Sequence, residues 1–146
     1  AIGVVQSPRR EAVDDDWGNI EASITLVEGF GPDALRGLES FSHVEVLFLF
    51  HQVDPGVVET GARRPRSNPA WPQVGIFTQR GKDRPNRIGS TICEIVRVKA
   101  TSVVIRGLDA IDGTPVLDLK PVMREFLPRK AVVQPEWASE LMSHYW

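Results

Sequence analysis

The chain has 146 residues, of which 42% are hydrophobic and 25% are charged, and its formal net charge is −2. This length and composition fit one globular domain with one core, and they exclude wholesale disorder. No apolar run approaches the ~18 residues of a membrane-spanning helix, residues 1–7 lack a signal-peptide pattern, and the single cysteine excludes an internal disulfide, so we expect a cytoplasmic location.

Segments that alternate apolar and polar residues, or are rich in β-branched residues, predict strands along most of the chain. In chain order, the predicted elements are strands at 2–6 and 19–27, a short helix from Pro32, a strand at 43–51, a long loop at 52–73 and a strand at 74–77. Further strands are predicted at 88–98, 102–108 and 114–120, followed by a linker at 128–135 and a helix at 135–145. The strand at 43–51 is apolar throughout from Val46 to Phe50, which predicts burial on both faces.

Together these elements predict a mainly β fold. About six or seven strands joined by hairpins in a small domain favour a closed or nearly closed barrel, because closure removes exposed strand edges. We therefore expect a single domain over residues 1–146. It would be a small antiparallel β-barrel with a short helix and a C-terminal helical tail at 128–146.

Positive charge is concentrated in and before the segment 75–89, GIFTQRGKDRPNRIG. Between residues 63 and 87, Asp83 is the single acidic residue against seven basic ones, namely Arg63, Arg64, Arg66, Arg80, Lys82, Arg84 and Arg87. Arginine is suited to bidentate contact with phosphate or carboxylate, and it stacks on bases. The pattern predicts a localised anion-binding face. The alternative is a solvated surface on which these charges are scattered in space.

Three carboxylates, Asp109, Asp112 and Asp118, surround one predicted hairpin. Such groups can hold ribose hydroxyls, orient an amine or offset a sulfonium charge. The alternative is turn chemistry, because Asp and Gly are common turn formers.

A metal site is not expected. His43 and His51 flank one predicted strand and would lie roughly 26 Å apart at ~3.3 Å per residue. With a single cysteine, Cys93, which the apolar pattern predicts to be a core residue, a zinc site is improbable. His51 and Gln52, at the exit of that strand, are better candidates for contact with an organic ligand.

Several short motifs occur in an order that resembles one family. They are Ile2-Gly3-Val4 with Ser7-Pro8, Leu35-Arg36-Gly37-Leu38 with Phe41-Ser42-His43, His51-Gln52, Gly75-Ile76-Phe77 with Arg80, Arg84-Pro85-Asn86 with Ile88-Gly89, and Leu108-Asp109 with Asp112-Gly113-Thr114-Pro115-Val116, Asp118 and Lys120-Pro121. From Ile2 to about Pro121, the chain resembles the TrmO-like (TsaA/YaeB-type) methyltransferases.

The resemblance implies a small β-barrel that binds S-adenosylmethionine, works as a homodimer and uses no metal. It implies methyl transfer to threonylcarbamoyladenosine, the modified adenosine next to the anticodon of some tRNAs. The expected cofactor-binding residues are Trp17, Gly18, His51, Gln52, Arg80, Asn86, Ile88, Ser90, Leu108, Asp109 and Asp112. The expected tRNA-binding residues are Arg63, Arg64, Arg66, Lys82, Arg84 and Arg87. Asp109, Asp112 and Asp118 are candidates for a general base, and we do not choose among them.

The chain departs from the family pattern at three points. Thr78-Gln79 stands where the family has Ala-Thr, and Arg87 stands where it has a second proline. Common bacterial members carry an additional C-terminal domain, whereas we expect this chain to be a short form without it. Two alternatives to a tRNA methyltransferase stay open. One is a non-catalytic module that binds S-adenosylmethionine or a related nucleotide, and the other is a methyltransferase for a small-molecule acceptor.

Overall fold

Six strands form one closed antiparallel barrel in the computed structural model, which describes residues 1–146. The barrel order is β1-β2-β7-β6-β3-β8, and β8 closes it by pairing with both β1 and β3. The predicted mainly β, barrel-type fold is confirmed. The barrel strands are β1 (Gly3–Gln6), β2 (Glu21–Leu26), β3 (His43–Leu49), β6 (Ile88–Val98), β7 (Ser102–Arg106) and β8 (Pro115–Pro121), and the short strands β4 (Ala62–Arg63) and β5 (Val74–Gly75) pair separately.

The barrel interior is filled by the alternate residues of each strand. In β3, Val44, Val46 and Phe48 point inward and are fully buried. Its outward residues Glu45, Leu47 and Leu49 are half-buried, so the prediction that β3 is buried on both faces is wrong. An antiparallel barrel strand has one packed face and one outer face, and here the outer face is only partly covered.

The helical elements are shorter than predicted. The predicted helix from Pro32 consists of two 3-10 turns, Pro32–Leu35 and Leu38–Ser40. Gly37 separates them in a left-handed conformation (φ 89°), which a continuous helix does not allow. The predicted strand at 74–77 ends at Gly75, because Ile76–Thr78 forms a 3-10 turn that buries Ile76.

The tail differs from prediction in the length of its helix. Helix α1 spans Glu136–Leu141 rather than 135–145. No helix of the structure is both long and apolar enough to cross a bilayer. Residues 122–135, which we call the arm, join β8 to α1 with almost every side chain exposed. Phe126 and Val133 in the arm are 87% and 92% exposed.

The packing around Gly89 leaves no room for a side chain, even a methyl group. Gly89 pairs with Phe48 between β6 and β3, and a Cβ placed on it would lie within 2.9 Å of three ring atoms of Phe48. Because Phe48 is fully buried, its ring has little room to move. We expect Gly89→Ala to lower the free energy of unfolding by about 1–3 kcal/mol, the usual cost of overpacking. Urea unfolding measures this as a lower midpoint.

Gly31→Ala is the matched control for Gly89→Ala. Nothing lies within 4 Å of a Cβ at Gly31, and its φ of −86° suits any residue. We expect its midpoint to stay within error of the wild type. Equal stability of the two variants would contradict the packing argument.

Candidate functional site

Asp109 lies just beyond the C-terminal end of β7, and each of its two carboxylate oxygens accepts a hydrogen bond. Thr91, an inward-facing residue of β6, donates its hydroxyl to Oδ1. Tyr145, near the C-terminal end of the chain, donates its phenol to Oδ2. At this end of the barrel one carboxylate therefore accepts hydrogen bonds from two hydroxyl groups.

The residues 143–146, which we call the C-terminal strap, lie across this end of the barrel. The backbone N–H of Asp16 donates to the carbonyl of His144 at 2.9 Å, and that of Trp17 donates to the carbonyl of Tyr145 at 2.8 Å. A Cβ on Gly18 would meet the backbone of Trp146 at 2.7 Å. The strap therefore brings Trp17 and Gly18, both predicted cofactor residues, into one group with Asp109.

Arg9 holds the acidic loop that precedes Trp17. Its guanidinium donates to the carbonyls of Asp15 and Asp16 at 2.7 and 2.5 Å, and it lies 4.4 Å from the centre of the Trp17 ring. A guanidinium over an indole face is a favourable cation–π arrangement. Trp17 is 3% exposed, so its position is set by this contact and by the strap.

Arg80 lies close enough to Tyr145 for its charge to act on the phenol. Its guanidinium donates to the backbone carbonyl of Ser90 at 2.5 Å, one residue before Thr91. Burial and the negative charge of Asp109 raise the pKa of Tyr145 well above its usual value, while the charges of Arg66 and Arg80 oppose this. Tyr145 therefore stays protonated at neutral pH and acts as a hydrogen-bond donor.

The exit of β3 meets the turn that precedes β6. The N–H of Phe50 donates to the carbonyl of Arg87 at 2.8 Å, and the Arg87 guanidinium donates to the carbonyl of Val53 at 3.1 Å. His51 and Gln52 lie within this corner, and Leu49 pairs with Ile88. The predicted residues His51, Gln52, Asn86 and Ile88 are thus brought together at the start of β6, which leads to Ser90 and Thr91.

Asp112 and Asp118 hold partners of their own. The Asp112 carboxylate accepts the N–H of Ser7 at 3.0 Å and orders the start of the N-terminal loop. Asp118 lies midway along β8 and pairs with Lys120 at 2.7 Å. Its pKa is lowered by the hydrogen bond from Lys120, despite partial desolvation. The three predicted carboxylates thus hold different partners, and of the three Asp109 alone contacts the strap.

All six predicted RNA-binding cations bind oxygen atoms of the protein itself. Arg63 and Lys82 both pair with Asp83, at 2.7 and 3.3 Å, and Arg66 pairs with Asp15 at 2.9 Å. The remaining three donate to backbone carbonyls, which leaves their charge uncompensated. They are Arg64, which binds Pro69 and Trp71, Arg84, which binds Gln79, and Arg87, which binds Val53.

Arg87 also explains one departure from the family pattern. Its φ is 52°, in the left-handed region, and proline cannot adopt this value because its ring holds φ near about −65°. The turn after Asn86 in this chain therefore follows a backbone path that a proline at 87 would not permit.

Two surface depressions are lined by residues other than the predicted cofactor residues. One is lined by Pro128 to Val132, and the other by Pro32 to Glu39 together with Val98 and Lys99. The structure contains no cluster of three or more His, Cys, Asp or Glu side chains that could hold a metal ion.

Sequence reasoning missed Arg9, Thr91 and Tyr145 as members of the site. Thr91 is hidden in the alternation of a strand, where threonine is common. The predicted helix at 135–145 includes Tyr145, whereas α1 ends at Leu141.

The fold and site define a small closed barrel with a carboxylate, arginines and a buried tryptophan gathered at one end. A family model described as the tRNA-methyltransferase O N-terminal domain matches residues 6–126. The chain therefore belongs to this family.

Curated and solved relatives agree with the family. The chain is 38% identical to the tRNA (adenine(37)-N6)-methyltransferase of Escherichia coli K12, over 84% of this chain and 56% of that protein. It is 31% identical to a Pyrococcus abyssi protein named "probable S-adenosyl-L-methionine-binding protein", over 90% of this chain and 71% of that one. The crystal structure of TrmO from Pseudomonas aeruginosa superposes with a TM-score of 0.74 at 30% identity, over 93% of this chain and 59% of that one.

This chain corresponds to only part of several relatives. It spans about half of the Escherichia coli protein and 23% of the human tRNA (adenine(37)-N6)-methyltransferase, to which it is 39% identical.

The Arg63–Asp83 pair should stabilise the long loop in a pH-dependent way. Burial raises the pKa of Asp83, but bonds from Arg63 and Lys82 outweigh it and hold the pKa below its ordinary value of 3.8. We expect Asp83→Asn to lower the free energy of unfolding at pH 7 by about 1–2 kcal/mol, because charge-assisted hydrogen bonds are lost. A depressed carboxyl pKa stabilises fully above the unfolded pKa, so the difference from wild type should vanish as pH falls through the folded value.

Urea unfolding at pH 7 and near pH 2 measures this, with Asp33→Asn as the control. The Asp33 and Arg36 side chains of that pair are each 77% exposed, so we expect a change of under about 0.5 kcal/mol. A pH-independent effect of Asp83→Asn would show that the bonds to Arg63 and Lys82 are not its cause.

Proposed function

We propose that this chain is an S-adenosylmethionine-dependent methyltransferase domain that acts on adenosine in tRNA. The acceptor would be threonylcarbamoyladenosine next to the anticodon. The observation that carries the proposal is the family match over residues 6–126, which includes Trp17, Thr91 and Asp109 but not Tyr145. The names of the Escherichia coli and human relatives support transfer to the N6 position of adenine 37.

The cofactor is proposed to lie between the strap end of the barrel and the exit of β3. Asp109 would accept a hydroxyl or amine of the cofactor or offset its sulfonium charge, and Trp17 would border the same site. Arg80 would orient either the cofactor or the acceptor base. The remaining proposed contacts are Gly18, His51, Gln52, Asn86, Ile88, Ser90 and Leu108, with Asp112 acting through the Ser7 backbone.

Methyl transfer depends chiefly on positioning, because the sulfonium is already an activated donor. The acceptor nitrogen must approach in line with the bond that breaks, and its proton leaves during or after attack. Tyr145 stays protonated, and both oxygens of Asp109 accept hydrogen bonds. Neither group is thus a free base in this conformation, and we leave the general base unassigned.

The tRNA is proposed to contact the cationic segment. Arg64, Arg84 and Arg87 bind carbonyl oxygens and keep their full charge, so they are the strongest candidates for phosphate contacts. Arg63, Arg66 and Lys82 face carboxylates, which reduces their attraction for RNA. A cytoplasmic location would accompany a tRNA substrate.

We also propose a homodimer, with the arm as part of the contact. The arm leaves Phe126, Leu127, Val132 and Val133 exposed on one short stretch of chain. Exposed apolar side chains in a contiguous segment are typical of interaction surfaces.

A second candidate function is a barrel that binds S-adenosylmethionine without transferring its methyl group. One observation favours it, because the strap engages the Asp109 carboxylate in this structure. A methyltransferase for a small-molecule acceptor is the third candidate.

Labelled S-adenosylmethionine separates these candidates. The protein is incubated with total tRNA from a strain that lacks its own tRNA (adenine(37)-N6)-methyltransferase, and the tRNA is digested to nucleosides. We expect label in threonylcarbamoyladenosine. Arg80→Gln should raise KM for S-adenosylmethionine about tenfold, equivalent to ~1.4 kcal/mol, whereas Arg36→Gln, on an exposed 3-10 turn, should not.

Other outcomes of this assay select another candidate. Cofactor binding without transfer would refute the enzyme and favour the binding module. Label in a small metabolite would favour the third candidate.

The salt dependence of tRNA binding tests the cationic segment. We expect Arg64→Gln with Arg87→Gln to weaken binding severalfold and to flatten the plot of log K against log salt by about 1–2 units. Filter binding or fluorescence anisotropy between about 50 and 200 mM salt, roughly a fourfold range, measures the slope.

The matched control for that pair is Arg36→Gln with Lys99→Gln. It removes the same charge from two residues that lie outside the cationic segment and line one surface depression. Identical slopes for the two double variants would mean that net charge, rather than the cationic segment, governs binding.

A further inference from the structure

The phenol of Tyr145 donates to the Asp109 carboxylate, where a donor group of a ligand could bind instead. Asp109 Oδ1 accepts from Thr91, and Oδ2 accepts from Tyr145. A ribose hydroxyl or an amine of a ligand would donate the same kind of charge-assisted bond as the phenol. Each carboxylate oxygen can accept two hydrogen bonds, so a ligand competes with Tyr145 when it approaches Oδ2 from the side on which the phenol lies.

The strap covers neighbouring ligand candidates as well. Trp146 lies against Gly18, and the carbonyls of His144 and Tyr145 take the N–H groups of Asp16 and Trp17. Tyr145 and Trp146 form an edge-to-face pair with ring centres 4.8 Å apart. The segment that blocks Asp109 thus also covers the loop carrying Trp17.

The strap is attached by few contacts beyond these. Helix α1 has six residues and none of them is buried. Its link to the long loop is one exposed hydrogen bond, from the Trp71 indole to Glu140 at 2.7 Å. A helix this short is unstable alone, and segments with few buried contacts open at low free energy. The strap can therefore detach while the barrel stays folded.

We propose that the C-terminal strap gates the Asp109 site, with Tyr145 acting as a latch that a ligand must displace. In the latched state the phenol occupies the carboxylate and Trp146 covers Gly18. In the open state Asp109, Trp17 and Gly18 become available. The identity of the ligand, S-adenosylmethionine, rests on the proposed function, whereas the latch itself rests on the contacts of Tyr145.

Affinity for S-adenosylhomocysteine tests the latch on the full chain. Tyr145→Phe keeps the ring but removes the donor, so the closed state loses one bond and the ligand loses its competitor. We expect about tenfold tighter binding by calorimetry, the change that follows from losing one modest hydrogen bond. Tyr145→Phe combined with Trp146→Ala should bind at least as tightly as Tyr145→Phe alone.

His144→Ala is the matched control within the strap. Its ring is exposed and makes no hydrogen bond or ion pair, and its carbonyl contact with Asp16 is retained. We expect its affinity to equal that of the wild type.

Hydrogen exchange reports strap opening directly. The amides of Asp16 and Trp17 are protected by the carbonyls of the strap. We expect S-adenosylhomocysteine to speed their exchange in the wild type, and Tyr145→Phe to speed it severalfold without ligand, while amides of the barrel strands stay unchanged.

The failure outcomes are distinct. Equal or weaker ligand binding by Tyr145→Phe, or slower exchange at Asp16 and Trp17 with ligand, would overturn the gate and leave the proposed function standing. That result would mean that the strap is a wall of the site. If neither the wild type, nor Tyr145→Phe, nor Tyr145→Phe with Trp146→Ala bound S-adenosylhomocysteine, the proposed function would be overturned. The proposed gating of this ligand would fall with it.

Discussion

Barrel closure is the constraint on which the rest of this structure depends. β8 pairs with β1 along one edge and with β3 along the other, so no barrel strand has a free edge. The interior is filled by a cluster of buried apolar side chains that includes Val46 and Phe48. The polar groups of the candidate site lie at one end of the barrel, among the loops that closure brings together.

The arginine-rich stretch illustrates how one residue type can serve two purposes. Guanidinium groups bind the carbonyls and carboxylates of residues that are otherwise irregular, and this supplies a long loop with the hydrogen bonds that it cannot make in a sheet. Carbonyl partners leave the positive charge intact, whereas carboxylates neutralise it. An intramolecular role for Arg64 and Arg87 is thus compatible with attraction for a polyanion, and for Arg63 it is much less so.

Asp109 needs hydrogen-bond donors both when the strap is closed and when a ligand is bound. A carboxylate at the end of a barrel must be hydrogen-bonded, because a partly buried, unpaired charge is costly. Thr91 and Tyr145 meet that requirement in the closed state. A ligand that supplies a hydroxyl or an amine could meet it equally well, so exchange between the two states need not leave the charge unpaired. Because a ligand can replace the Tyr145 phenol as donor to Asp109, the free-energy cost of opening the strap is small.

The sequence by itself determined the strands, the single barrel and the family, because alternation and short motifs depend on neighbouring residues. It also identified Asp109, Arg80 and Trp17 as site candidates, although which of the grouped aspartates belonged there stayed open. Tertiary structure decided the partners. Tyr145 meets Asp109 across 36 positions, and Asp112 meets Ser7 across 105. Such pairs form only when the closed barrel sets both ends in place, and no local pattern encodes the distance between them.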